Sequence, residues 1–285
     1  MDEQLFLDAA LAEERDRFAA LTPGDRAAAR RLTLTALRRL GEIDAEIDAR
    51  LAKPLPERGR PIRQILRIAA AETAFAQGAA HAAVDAAVRQ AKKVDPRFSG
   101  LVNAVARRIA EQAARLAERP AEEAARLNTP AWLWDRLCAD WGAPAAARLA
   151  AAQLSPPPLD LTLRDPDDAP RWAEQLGAER SPTGGLRLKQ AEKALTALPG
   201  FEEGAWWVQD AAAALPARLL GATGPGALKG LRVLDLCAAP GGKTMQLAAA
   251  GAEVTAVDDS ESRMARVSEN LARTGLQAKL VTEDA

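Results

Sequence analysis

Cysteine and histidine are scarce in this chain of 285 residues, which contains two cysteines and one histidine. Cys138 and Cys237 stand far apart in no pattern, which argues against a disulfide framework and against a zinc site. His81 has neither a second histidine nor a nearby cysteine, so a capping or core role is favoured over metal binding. We therefore expect no metal centre.

Long apolar runs and a strong charge bias are also missing. No run approaches the roughly 18 residues that indicate a membrane span, and the N-terminus shows no secretory pattern. The net charge of −1 gives no general bias toward nucleic acid or membrane. The hydrophobic content of 48% is enough for real cores, and the length suits two or three domains. A cytoplasmic monomer without membrane contact is the simplest interpretation.

The most informative stretch is LRVLDLCAAPGGKT, residues 231–244. Its apolar beginning predicts a buried strand, and the residues from Lys243 onward predict a helix. Pro240, Gly241 and Gly242 predict a turn between them. In an open α/β sheet, ligands bind at the carboxyl ends of the strands. The glycines let the backbone come close to such a ligand, and the helix N-terminus offers free N–H groups.

The spacing around this turn separates the possible ligands. A phosphate-binding P-loop needs a glycine six residues before its lysine, but Cys237 occupies that position before Lys243. Pro240 removes one N–H group, and no G-x-G-x-x-G motif is present. Asp258 ends a second predicted strand, where an acid typically accepts from ribose hydroxyls. A nucleoside without phosphates, such as S-adenosylmethionine, fits best; a glycine turn in another α/β domain with a surface aspartate is the alternative.

The string DLCAAPGGKT, followed by AVDDS, ENLARTGL and EDA, resembles the RsmB/Sun (Fmu) family of RNA cytosine-5 methyltransferases, which act on small-subunit (16S) ribosomal RNA. The resemblance implies S-adenosyl-L-methionine as the cofactor and RNA as the partner. It implies that Asp258 binds the ribose and that Asp284 contacts the adenine amino group. Trp206, Trp207 and Gln209 either line this pocket or only pack. The residues implied around the methionine part are Cys237, Ala238, Ala239, Pro240, Gly241, Gly242 and Lys243.

The expected fold class is multi-domain α and α/β. Residues 1–127 show helical periodicity, and their segments HAAVDAAVRQAKKV and GLVNAVARRIA resemble the NusB-like RNA-binding domain. Residues 128–158 are predicted to be a helical linker. Residues 159–225 are predicted to form a small α+β subdomain, which the resemblance likens to an RNA-recognition fold. Residues 226–285 are predicted to form the first half of a Rossmann-like methyltransferase sheet.

Helical details of the first part can also be predicted. Gly41 is expected to end a helix. Trp132, Trp134 and Trp141 in the linker are suited to stacking on bases, but packing is favoured. Apolar residues at helical spacing predict inward faces, which are Ile62, Ile65, Leu66, Ala69 and Phe75, then Val84, Val88, Ala91 and Val94, then Leu101, Val105 and Ile109.

Two arginine runs that contain no acid stand in the helical part, and an acid-rich stretch separates them. Such a face is suited to neutralising phosphates, although a solvated helix surface is slightly favoured from spacing alone. The resemblance favours RNA contact. The runs are Arg26, Arg30, Arg31, Arg38 and Arg39, then Arg58, Arg60, Arg63 and Arg67. The RNA-binding candidates are Arg26, Arg30, Arg31, Arg38, Arg39 and Arg63.

The chemistry of cytosine C5 requires a nucleophile. A cysteine thiolate must add to C6 before C5 attacks a methyl group. The resemblance places both cysteines of this chemistry after the third strand, beyond Ala285. We therefore expect the front part of a methyltransferase with no catalytic residue, since Cys237 belongs to the glycine turn and Cys138 to the linker. A non-catalytic NusB-type RNA-binding factor and a small-molecule methyltransferase remain as alternatives.

Overall fold

The computed structural model describes residues 7–76, 78–188 and 194–284, which belong to two compact units, Met1–Pro156 and Pro157–Ala285. The boundary between the units falls within the run of prolines at 156–158. No helix in these three ranges is long and apolar enough to cross a membrane.

The first unit is helical over its described residues. Its helices are α1 (Leu7–Glu13), α2 (Arg15–Ala19), α3 (Pro23–Arg38), α4 (Leu40–Asp48), α5 (Arg60–Ala74), α6 (Ala80–Val94), α7 (Ser99–Glu111), α8 (Ala113–Ala117), α9 (Ala121–Asn128), α10 (Ala131–Trp141) and α11 (Ala143–Ala152). The central core lies between α4, α5, α6 and α7. The predicted inward faces are largely confirmed, because seven of the twelve residues named above are buried and four more are half-buried. Val94, at the end of α6, is 48% exposed, and its prediction is wrong.

Gly41 does not end a helix, and that prediction is wrong. It is the second residue of α4, which begins at Leu40 directly after α3. A Cβ atom at this position would overlap the carbonyl oxygen of Leu127, near the end of α9. The Asn128 side chain accepts from the amides of Gly41 (2.9 Å) and Glu42 (3.2 Å). The glycine therefore serves the close approach of two helices.

The second unit combines two sheets with flanking helices. Its elements are β1 (Leu159–Leu163), α12 (Ala169–Leu176), β2 (Glu179–Arg180), β3 (Leu186–Leu188), β4 (Trp206–Val208), α13 (Ala211–Leu219), β5 (Arg232–Leu236), α14 (Gly242–Ala249), β6 (Glu253–Asp258), α15 (Glu261–Thr274) and β7 (Lys279–Thr282).

The two sheets differ in strand direction. The antiparallel sheet has the order β2-β3-β1-β4 and a core around Trp172 and Trp206. The parallel sheet has the order β5-β6-β7, with Asp235 opposite Ala256. Its strands alternate with α14 and α15, as in a doubly wound fold. The predicted fold class is confirmed.

Candidate functional site

The glycine loop, residues 237–241, joins β5 to α14 and lies against the end of β6. The amide of Ala238 donates to the carbonyl oxygen of Val257 at 3.0 Å. The amide of Ala239 donates to Oδ2 of Asp258 at 3.1 Å. The structure therefore brings the predicted turn and the predicted acid together at the carboxyl edge of the parallel sheet.

The glycines of this region allow close packing from two sides. Gly241 has a φ of +99°, and a Cβ there would lie 3.1 Å from Cγ1 of Val267 in α15. A Cβ on Gly242 would lie 3.4 Å from Cδ of Gln209. Cys237 also has a positive φ, +53°, and its thiol is free and exposed. A side chain at 241 would be strained by the positive φ and would crowd Val267.

Three polar side chains outside the loop hold it and the start of α14 in place. Oγ1 of Thr244 donates to Oδ2 of Asp235 at 2.6 Å, and both residues are buried. This bond joins the end of β5 to the first turn of α14. Nδ2 of Asn270 donates to the carbonyl oxygen of Pro240 at 3.0 Å. The sequence pattern singled out none of these partners.

Trp207 and Gln209 are buried behind the start of α14. Nε1 of Trp207 donates to Oε1 of Gln209 at 3.0 Å, and Nε2 of Gln209 donates to Oε1 of Gln246 at 3.2 Å. Trp207 packs in the apolar cluster that contains Met245 and Val267. The polar groups of Trp207 and Gln209 are thus engaged with the protein, and Trp206 packs in the core of the antiparallel sheet. All three side chains behave as the packing alternative expects.

Asp258 is an almost fully buried acid, 3% exposed. Its Oδ1 accepts from the amide of Ser260 (3.2 Å) and pairs with Arg263 (2.8 Å). Burial opposes ionisation, but the amides of Ala239 and Ser260 and the Arg263 guanidinium together hold the pKa of Asp258 below its ordinary value. The site therefore carries a fixed negative charge.

Arg263 was missed by sequence reasoning. Its Nη2 also donates to Oδ1 of Asp259 at 2.6 Å, four residues earlier. Hydrogen bonding to Asp259 and the charge of Asp258 raise the pKa of Arg263. The i, i+4 spacing across the first turn of α15 is the signal that would have found this pair.

Asp284 lies just after β7, at the same edge of the sheet. Asp258 is opposite Thr282 in the pairing of β6 and β7, and the Glu283 amide donates to the Asp258 carbonyl oxygen at 3.2 Å. The Asp284 side chain is exposed. The carboxyl ends of three parallel strands thus bring Cys237, Asp258 and Asp284 to one edge.

The arginine candidates of the first unit divide into two groups. Nη1 of Arg39 pairs with Glu42 at 2.9 Å, and its guanidinium lies over the Phe75 ring. Arg63 pairs with Asp44 and Asp48. Exposure is greater along α3, where Arg26, Arg30 and Arg31 are exposed and Arg38 is half-buried.

The remaining candidates of the first unit show a mixed outcome. His81 is exposed in the first turn of α6, whose N-cap is Ala79 with no side-chain cap bond, so the expected capping or core role is wrong. Trp134 packs beside the cluster of α9 and α11 and lies under Arg126, as expected. Trp132 and Trp141 are instead 71% and 68% exposed. Within the three described ranges, no group of His, Cys, Asp or Glu is arranged to hold a metal ion.

Two family models match separate parts of the chain. Residues 1–111 match the model of the NusB family, and residues 228–285 match that of the 16S rRNA methyltransferase RsmB/F. Ribosomal RNA small subunit methyltransferase B of Sodalis glossinidius is 32% identical over 277 residues, which cover 93% of this chain and 62% of that protein. The protein of the same name from Serratia proteamaculans is 33% identical over 274 residues, covering 91% and 62%.

The chain therefore spans about 62% of the length of these curated relatives. Among solved structures, the crystal structure of PH0851 aligns with a TM-score of 0.64 at 21% identity. That alignment covers 97% of this chain and 65% of the other. A likeness at this level of identity shows a shared fold.

Proposed function

We propose that this chain serves S-adenosyl-L-methionine-dependent methylation of cytosine C5 in small-subunit ribosomal RNA, as a member of the RsmB/F methyltransferase family with a NusB-type front part. The observation that carries this proposal is the meeting of the glycine loop and the ionised Asp258 at one sheet edge. That edge is where doubly wound sheets bind nucleosides.

The residues at this edge fit the cofactor. An ionised carboxylate accepts about four hydrogen bonds, and the amides of Ala239 and Ser260 and the Arg263 guanidinium supply three to Asp258. Capacity for a ribose hydroxyl remains. Asp284 then faces the adenine end, and residues 237–243 face the methionine end.

S-adenosylmethionine supplies the methyl group as a sulfonium. The protein residues at this edge hold it, orient it and keep an acid ionised beside the ribose. We assign nucleophilic attack on C6 to neither cysteine of this chain. Cys237 is part of the loop that wraps the cofactor, and Cys138 lies in α10 of the first unit.

RNA contact is proposed for the exposed arginines of α3. Arg39 and Arg63 are engaged with Glu42, Asp44 and Asp48, so their guanidinium groups contribute to folding. The α3 arginines lie on a more exposed surface, where phosphate neutralisation releases counterions. These residues belong to the segment that matches the NusB family.

Titration calorimetry tests the cofactor assignment. We expect S-adenosylmethionine to bind this chain and ATP not to bind, because the glycine loop lacks a phosphate cradle. A chain that binds small-subunit RNA but no S-adenosylmethionine is an RNA-binding factor. A chain that binds S-adenosylmethionine but no RNA supports the small-molecule alternative.

A radiolabelled-methyl assay on unmodified small-subunit RNA tests the assignment of the cysteines. We expect no transfer by this chain. Transfer that disappears in Cys237→Ala would make the loop cysteine the nucleophile and overturn the assignment.

A further inference from the structure

Asn270 lies in the middle of α15 and reaches across to the glycine loop. Its Nδ2 donates to the Pro240 carbonyl oxygen at 3.0 Å, although 30 positions separate the two residues. Val267, three residues earlier and therefore on the same helix face, packs against Gly241, the next loop residue. The neighbouring loop residues Pro240 and Gly241 thus both contact one face of α15.

The bond from Asn270 fixes a whole peptide group. The carbonyl of Pro240 and the amide of Gly241 lie in one rigid plane and point in opposite directions. The Gly241 amide donates to the Ala238 carbonyl oxygen at 2.8 Å, so the plane is held at both ends. Its orientation sets the direction in which the chain enters α14. The free amides at the start of that helix are therefore aimed by a side chain that lies outside the loop.

Asparagine is not the residue that the helix itself would favour. It is a poorer helix former than alanine, leucine or glutamate, yet it stands within a helix of 14 residues. The side chain is half-buried and its amide is directed at the loop. A role in the loop accounts for its presence better than helix stability does.

We propose that Asn270 is a positioning residue for the S-adenosylmethionine site, holding the glycine loop in its binding shape without contacting the cofactor. The inference rests on the proposed function. The same helix then supports both parts of the site. Its first residue, Glu261, lies three positions after Asp258, and its Asn270 bonds to Pro240 of the glycine loop.

The test compares cofactor affinity in three variants by titration calorimetry. Asn270→Ala loses one hydrogen bond, and we expect affinity for S-adenosylmethionine to fall about three- to tenfold. Asn270→Asp has the same shape but places an ionised oxygen against the Pro240 carbonyl oxygen, so affinity should fall further at pH 7.5. Ser268→Ala, at an exposed position on the same helix, should bind like wild type.

Acidification separates positioning from general damage to the fold. A protonated carboxyl group is again a donor, so Asn270→Asp should regain affinity between pH 7.5 and about pH 5, whereas wild type should not. The charged groups to consider are Arg266, one turn earlier, and Arg273, one turn later and bonded to backbone carbonyls. Across the loop stand Lys243 and Asp258, and the lowered pKa of Asp258 keeps it ionised over this range.

The outcomes distinguish the inference from the function on which it rests. No binding by wild type removes the proposed cofactor function. Binding by wild type with equal affinity in Asn270→Ala overturns the positioning role alone. Weak binding by Asn270→Asp that does not change with pH also overturns it, because a defect of folding rather than a lost donor would then be responsible.

Discussion

At the scale of single residues, Asp258 shows how a buried acid is kept charged. Its side chain has almost no contact with solvent, and burial alone would favour the neutral acid. Backbone amides on two sides and one guanidinium reverse that preference. A neutral acid would offer a ribose hydroxyl a weaker acceptor. The charge is therefore part of the site's ability to bind.

We expect Asp258→Ala to weaken S-adenosylmethionine binding about tenfold to a hundredfold, because a charged acceptor for the ribose is lost. Asp259→Ala is the matched control. Asp259 pairs with the same Arg263 but is exposed, and exposed pairs contribute little. If calorimetry shows that the two variants lose the same affinity for S-adenosylmethionine, Asp258 is not the specific ribose acceptor.

Residue patterns predicted the loop but not its supports. The turn of residues 240–242 and the acid at 258 are recognisable because a strand, glycines and a helix are adjacent in sequence. Asn270 bonds to a carbonyl 30 positions away, and Arg63 bonds to an acid 19 positions away. The periodicity of residues along one helix or strand does not predict contacts between residues so far apart in sequence. For the same reason the arginine runs did not show that Arg39 and Arg63 are engaged in ion pairs.

At the scale of elements, α4 and α9 meet around a buried charge, that of Glu42. Glu42 is fully buried and pairs with Arg39 and, at 3.7 Å, with Arg119. Nδ2 of Asn128 donates to Oε2 of Glu42 at 2.6 Å. Several partners therefore compensate one buried charge. Gly41 makes the contact possible because it leaves room for the Leu127 carbonyl.

We expect Gly41→Ala to lower the free energy of unfolding by roughly 1–3 kcal/mol, because the added methyl group forces α9 away from α4. Gly100→Ala is the matched control, since a Cβ in that part of α7 meets nothing within 4 Å. It should stabilise by about 0.4–1 kcal/mol. Urea unfolding followed by circular dichroism measures both, and destabilisation by both variants alike would contradict the packing explanation.

At the scale of the whole molecule, each unit contains acids that fold into contact with arginines. Burial opposes ionisation of Asp44 and Glu46, but arginine partners hold the pKa of each below its ordinary value. In the second unit, the hydrogen bond from Arg187 holds the pKa of Asp160 below its usual range, against burial. The free energy of unfolding of both units should therefore fall as the pH falls.

We expect the free energy of unfolding to fall as the pH drops below about 5. The ordinary pKa values of these acids are about 3.9–4.3, and the folded values are lower. Their stabilisation is thus fully present above the unfolded pKa and is lost as pH falls toward the folded pKa. Urea unfolding at pH 7 and pH 3.5 measures the difference. Asp44→Asn should show a smaller difference than wild type, and an unchanged difference would exclude Asp44 as a contributor.

The division into units was predictable at this scale because composition changes at the prolines of 156–158. Strand alternation in β1 and glycine turns around β5 indicated α+β and α/β structure beyond them. The edge position of β5 leaves Leu231, Leu234 and Leu236 about half exposed. The prediction of a buried strand is therefore wrong for these leucines, because their burial depends on which strands pair with β5, which a local sequence pattern does not show.

The exposed thiol of Cys237 can serve as a chemical probe of the glycine loop. The chain has one other cysteine, Cys138, which is half-buried in α10. A thiol reagent such as a maleimide therefore has one readily accessible sulfur, and that sulfur lies in the loop that we assign to the cofactor. Alkylation should slow when S-adenosylmethionine is added and should not slow with ATP. The rate of modification at one atom would then report how much of the site is filled, without any transfer of a methyl group.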